Sequence, residues 1–139
     1  MRKSQPFSLR LTPEILGEIR SLATRIERPA SYVVSTLIEE SLRQRRCPGI
    51  LFAEGPTGRR ATLAGSGIDV WEVVRVFKAC GEDLQALARA FPQLSRRQLE
   101  AALHYYRCYP QEVEDRLAQE ERAEAELRHR FPLVKSYRV

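Results

Sequence analysis

The segment Phe7-Ser8-Leu9-Arg10-Leu11 alternates apolar and polar side chains without a break, and the chain turns helical directly after it. A period of two puts Phe7, Leu9 and Leu11 on one face of a strand, with Ser8 and Arg10 on the other. Thr12 supplies an N-cap oxygen, Pro13 the φ favoured at the first helical position, and Glu14 a carboxylate at the positive end of the dipole. Ile15, Leu16, Ile19, Leu22, Ala23 and Ile26 recur at helical spacing until Arg28-Pro29 forces the chain out of the helix. A second helix is expected to open at Ser31, whose hydroxyl can cap it. It carries Val33, Val34, Leu37, Ile38 and Leu42 and ends in Arg43-Gln44-Arg45-Arg46. One strand and two helices of this length cannot close a core alone, because the strand has unpaired edges and the segment buries too little surface. A second copy resolves both problems: the strands pair antiparallel and the apolar faces meet beneath four helices. The outward face is then a two-stranded ribbon that fits the major groove of B-DNA and displays Ser8 and Arg10 twice.

The charge distribution points the same way. The net charge is +5. Residues 1–47 hold nine Lys and Arg against five Glu, whereas residues 48–139 hold fourteen against thirteen Asp and Glu. A basic N-terminal third suits a polyanionic partner, although charge also serves solubility alone.

Pro6-Phe7-Ser8-Leu9-Arg10-Leu11-Thr12-Pro13-Glu14, a first helix, a short turn and a second helix near Ser31 resemble the ribbon-helix-helix repressors of the Arc, MetJ and CopG type. The resemblance implies a homodimer, or a higher even oligomer, on double-stranded DNA. It places the base readers at Pro6, Ser8 and Arg10, and phosphate anchors on the free N–H groups of Ser31, Tyr32 and Val33. Pro6 departs from that pattern, having neither an N–H nor a polar side chain, so readout is expected to rest on Ser8 and Arg10. Lys3, like Arg2 in the arm ahead of the strand, is expected on phosphate rather than on bases. The bland alternative is a ribbon that only dimerises, with Ser8 and Arg10 simply solvated.

After Pro48-Gly49, the turn formers Glu54-Gly55-Pro56-Thr57-Gly58-Arg59 separate two short apolar runs and predict a hairpin. Gly65-Ser66-Gly67 lacks the lysine and spacing of a phosphate loop. Asp69-Val70-Trp71-Glu72 and Ser95-Arg96-Arg97-Gln98 are capping boxes, and a short helix from about Asp83 to Phe91 lies between the helices they open. This predicts a tri-helical unit. Its helix-turn-helix stretch, Leu84 to Tyr106, would put Arg96 and Arg97 at a recognition-helix start, but the near-neutral charge favours a protein-binding bundle.

His104 and Cys108 stand four apart on a helix, a spacing that can share a metal; two ligands do not make a site, and the pair is read as packing residues. Cys47, Cys80 and Cys108 are read as free thiols. No nucleophile, base and orienting group stand out, so neither an enzyme nor a cofactor is expected.

Gln111 to Arg130 is rich in Glu, Arg and Ala, and Val113, Leu117 and Leu127 are too thin an apolar stripe to fix a helix firmly to a core. The basic tail from Leu127 onward is read as a partner-binding arm. Gly55 to Arg60, Ile68 to Val74, Phe91 to Ser95, Ala101 to Tyr106 and Pro110 to Glu114 together resemble the small helical domain of VapB-type antitoxins, formerly of unknown function. That resemblance implies repression of the chain's own operon and neutralisation of a PIN-type ribonuclease, whose acidic magnesium site would receive Arg128 and Arg130 beside Phe131.

The expected fold is mainly α. A ribbon-helix-helix module (1–47) precedes a hairpin and tri-helical, helix-turn-helix-like domain (48–110) and a C-terminal helix with its tail (111–139). No membrane span or signal segment is evident, and a cytoplasmic location is expected. A regulator without a toxin and a dimerising adaptor are the alternatives to the antitoxin reading.

Overall fold

The computed structural model describes residues 4–55 and 58–132, and the chain divides into two compact units, residues 1–43 and 44–139. Among the described residues there are six α-helices and one two-stranded antiparallel sheet, a mainly α protein. No described helix is long and apolar enough to cross a membrane.

In the first unit, α1 (Pro13–Ile26) opens where its cap predicts: Thr12 Oγ1 accepts from the Ile15 N–H at 3.3 Å. It stops at Glu27, a left-handed residue at φ 57°, and the Arg28 N–H turns back to the Ala23 carbonyl at 3.0 Å. Pro29 follows, and α2 (Ala30–Arg46) begins two residues earlier than a Ser31 cap would require. The Pro29 carbonyl takes the cap position, accepting from the N–H groups of Tyr32 at 3.1 Å and Val33 at 3.3 Å, so Ser31 lies inside the first turn. Among the described residues only Ile19, Ala23 and Val33 are buried here, with Leu11, Leu22, Ile26, Ala30 and Val34 packed half-buried around them.

The strand expected over residues 7–11 is not formed. Residues 4–12 carry no regular secondary structure; Phe7 is 87% exposed and Leu9 is exposed with it. The physical reason is that a strand exists through its ladder, and no other described segment offers these residues a partner.

The second unit starts from a tight turn. Cys47-Pro48-Gly49-Ile50 closes with the Ile50 N–H on the Cys47 carbonyl at 3.3 Å, and Gly49 sits at φ 91°, as a turn with Pro then Gly at its centre requires. The turn delivers β1 (Ile50–Gly55), paired with β2 (Gly58–Leu63) so that Ile50 faces Leu63 and Glu54 faces Arg59. Pro56 and Thr57, at the predicted hairpin tip, lie outside the described residues. Gly65-Ser66-Gly67 is a connector: Ser66 Oγ donates to the Leu63 carbonyl at 2.9 Å and accepts from the Ile68 N–H at 3.0 Å.

Both capping boxes form their helix starts. In α3 (Val70–Ala79) the Asp69 N–H donates to Glu72 at 2.8 Å. After α4 (Leu84–Ala90), α5 (Arg96–Cys108) begins with Ser95 and Gln98 exchanging bonds of 2.8 and 3.1 Å. The last helix, α6 (Pro110–Arg130), puts Val113 and Leu117 into the same core as Val73, Val74, Leu87, Leu99, Ala102 and Tyr105. The thin stripe on α6 therefore suffices for its first two turns, and the remainder, from Glu121 on, is exposed.

Candidate functional site

The residues marked for DNA fall on two stretches of the first unit. Pro6, Ser8 and Arg10 are exposed on the segment ahead of α1; Lys3 lies outside the described residues. At the start of α2, Ser31 and Tyr32 are exposed, and the Arg28 guanidinium sits 4.9 Å from the centre of the Tyr32 ring. The expected set of free N–H groups needs correcting. Tyr32 and Val33 already donate to Pro29, and the Val33 side chain is buried, so the unbonded helix-start donors shift to Ala30 and Ser31. Arg28, missed in the sequence, gives this helix start a cation; its signal was its place directly before the proline.

Apolar exposure defines the same unit more sharply than its polar groups do. Phe7, Leu9, Ile15, Leu37, Ile38 and Leu42 are all exposed, Leu42 by 62%. These are the residues that the alternation and helical spacing assign to a core.

In the second unit Arg128 and Arg130 stand on the exposed last turn of α6, and Phe131, which caps it, is 54% exposed. Arg130 pairs with Glu126 on its own helix at 3.4 Å. The tail beyond Pro132 lies outside the described residues. The docked end of α6 is held by polar contacts as well as by Val113 and Leu117. Glu114 accepts from the Lys78 ammonium and the Tyr106 hydroxyl, and Tyr105 donates to Glu112. Hydrogen bonding to Lys78, then to Tyr106, lowers the Glu114 carboxyl from its ordinary range, while the bonds to Glu114 raise both Lys78 and Tyr106. Farther along, Arg75 reaches Glu124 at 2.9 Å.

Two constellations are legible only in three dimensions. Asp69, the one buried charged residue among those described, lies 3.3 Å from the Arg60 Nε of β2 and accepts from the Trp71 indole N–H at 3.2 Å. It ties the hairpin to α3. The second is Cys47, His104 and Cys108, whose candidate donor atoms all lie within 4.8 Å of one another. Cys47 is buried, Cys108 half-buried and His104 exposed. The sequence offered only the pair on α5; the turn after α2 supplies the third.

Residues 54–106, from the end of β1 through most of α5, match a family described as a protein of unknown function, DUF433. The match covers the hairpin, the Asp69 constellation and three helices, and carries no assigned activity. No curated protein and no solved structure matches the chain.

Proposed function

We propose that this chain is a DNA-binding transcriptional repressor that docks as a homodimer through residues 1–47, and that it is the antitoxin of a toxin–antitoxin pair. The observation carrying the reading is the apolar set Phe7, Leu9, Ile15, Leu37, Ile38 and Leu42, left exposed around a three-residue core. A segment this short and this open reaches stability by association. Pairing the 7–11 segments of two copies would cover the set, create the missing ladder and turn Ser8 and Arg10 outward as a ribbon sized for the major groove. Ala30 and Ser31, beside Arg28, would then serve as the phosphate anchor.

For the toxin half, the support is the exposed basic end of α6, Arg128 and Arg130 with Phe131, on a helix whose first turns are fixed to the second unit. Such a helix presents cations away from the core, as an acidic ribonuclease site would require.

The test is sedimentation of the full chain, followed by titration onto its own promoter region at several salt concentrations. A dimer with a sequence-preferring complex is expected, weakening with salt by roughly 0.9 log units per log unit for each phosphate contact. A dimer without DNA preference would identify an adaptor instead. The absence of a small PIN-like nuclease in the neighbouring reading frame would remove the toxin partner and leave a stand-alone regulator.

A further inference from the structure

We infer that Cys47, His104 and Cys108 form a site for a thiophilic divalent cation, zinc being the natural occupant. Tetrahedral zinc with bonds of about 2.3 Å to sulfur and about 2.0–2.1 Å to nitrogen separates its donor atoms by roughly 3.5–3.8 Å. The Cys108 Sγ and His104 Nε2 atoms stand 3.7 Å apart, already at that spacing. All three donors fall within 4.8 Å, so a contraction of about an ångström closes the set around an ion.

The fold places these donors by two rigid devices. His104 and Cys108 project from successive turns of α5, one helical repeat apart. Cys47 is presented by the Pro48-Gly49 turn, which lies against α5: a Cβ at Gly49 would stand in ordinary contact, 3.5 Å from the Ala101 Cβ. Cys47 is only 1% exposed, which keeps that sulfur from solvent, and exposed His104 provides the entry side. Binding releases two thiol protons to solvent, so two thiolates neutralise the dication and water takes the fourth position. His104 Nε2 lies 3.1 Å from the Arg46 carbonyl; on capture the ring exchanges that contact for the metal and carries its proton on Nδ1. The ion acts as a clip between the Cys47–Ile50 turn and α5.

The test uses the full chain, without an affinity tag, purified under reductant and free of chelator. Native mass spectrometry is expected to find one zinc per chain. Cobalt added to the apo protein is expected to give a thiolate charge-transfer band and the visible bands of a tetrahedral site. Cys80→Ser should retain both signals. His104→Ala, at an exposed position, and the near-isosteric Cys108→Ser, at a half-buried one, should lose them while keeping the helical circular dichroism. Their affinity is expected to fall by more than the roughly 10–100-fold that loss of an outer-shell partner costs. A wild-type chain that takes up neither ion, a cobalt spectrum unchanged by both substitutions, or a Cys47–Cys108 disulfide formed in place of metal uptake would each overturn the site.

Discussion

The two units use similar helical patterning and reach opposite outcomes. In residues 44–139 the apolar positions of α3, α4, α5 and α6 converge on one another, and Val73, Val74, Leu87, Ala102 and Tyr105 lose all contact with water. Among the described residues of 1–43 the same kind of spacing on α1 and α2 buries three side chains and leaves Ile15, Tyr32, Leu37, Ile38 and Leu42 outside, with Phe7 and Leu9 exposed ahead of them. The difference lies in the number of faces available. Four helices and a hairpin can surround a core, whereas two helices and one segment leave a side of theirs uncovered. An amphipathic pattern states which side of an element wants burial without supplying the surface that will bury it.

Matched leucine truncations break or sharpen that contrast most strongly. Leu87→Ala is expected to cost about 2–5 kcal/mol, because it empties a fully buried site, and its melting should not depend on protein concentration. Leu37→Ala, at a position exposed in the single chain, would cost within about 0.5 kcal/mol on a monomer. In the proposed dimer its cost approaches that of Leu87→Ala and the melting midpoint rises with concentration. Calorimetry at two concentrations decides; equal, small effects at both would remove the dimer.

Next in size is Arg10→Ala, expected to remove roughly 1–3 kcal/mol of discrimination between operator and unrelated DNA with sedimentation unchanged. Retained preference would take Arg10 out of base reading. Asp69→Ala acts on the other unit and on stability alone: losing the Arg60 pair and the Trp71 bond should cost about 1–3 kcal/mol in a urea titration, with no change in DNA affinity.

The smallest effect belongs to the clamp on α6. Glu114 has a lowered folded-state value, so its contribution is present above the ordinary carboxylate range and is lost as pH falls through the folded value. Lys78 and Tyr106 are raised, so theirs is present below their ordinary values and is lost as pH rises through the folded ones. The clamp is therefore complete near neutrality and weakens at both extremes. These side chains are substantially exposed, and Glu114→Gln should cost below about 1 kcal/mol at neutral pH. Thermal melts should show the variant's deficit shrinking toward acid pH; a constant deficit would assign Glu114 a packing role instead.

Local chemistry was readable wherever it was local. The Thr12 cap, both capping boxes, the hairpin and the helix ends before Pro92 and Pro110 follow from residues within four positions of each other, because a cap or turn is satisfied by its immediate neighbours. The start of α2 was misplaced by two residues: the Pro29 carbonyl takes the cap position that the Ser31 hydroxyl was expected to fill. The docking of α6 was underestimated, since two buried residues aided by Glu112 and Glu114 hold its first turns to a preformed core.

By itself the sequence determined the order of elements, their caps, the basic bias of the first 47 residues and the apolar set that the first unit cannot cover. Only the tertiary structure decided that Cys47 meets His104 and Cys108, that Asp69 is buried against Arg60, and that the 7–11 segment stays unpaired in one chain. Periodicity and capping are written over a few residues, whereas meetings across dozens of residues depend on how turns and cores orient whole elements. A ladder depends further on a partner strand, and no described segment of the chain offers one to residues 7–11.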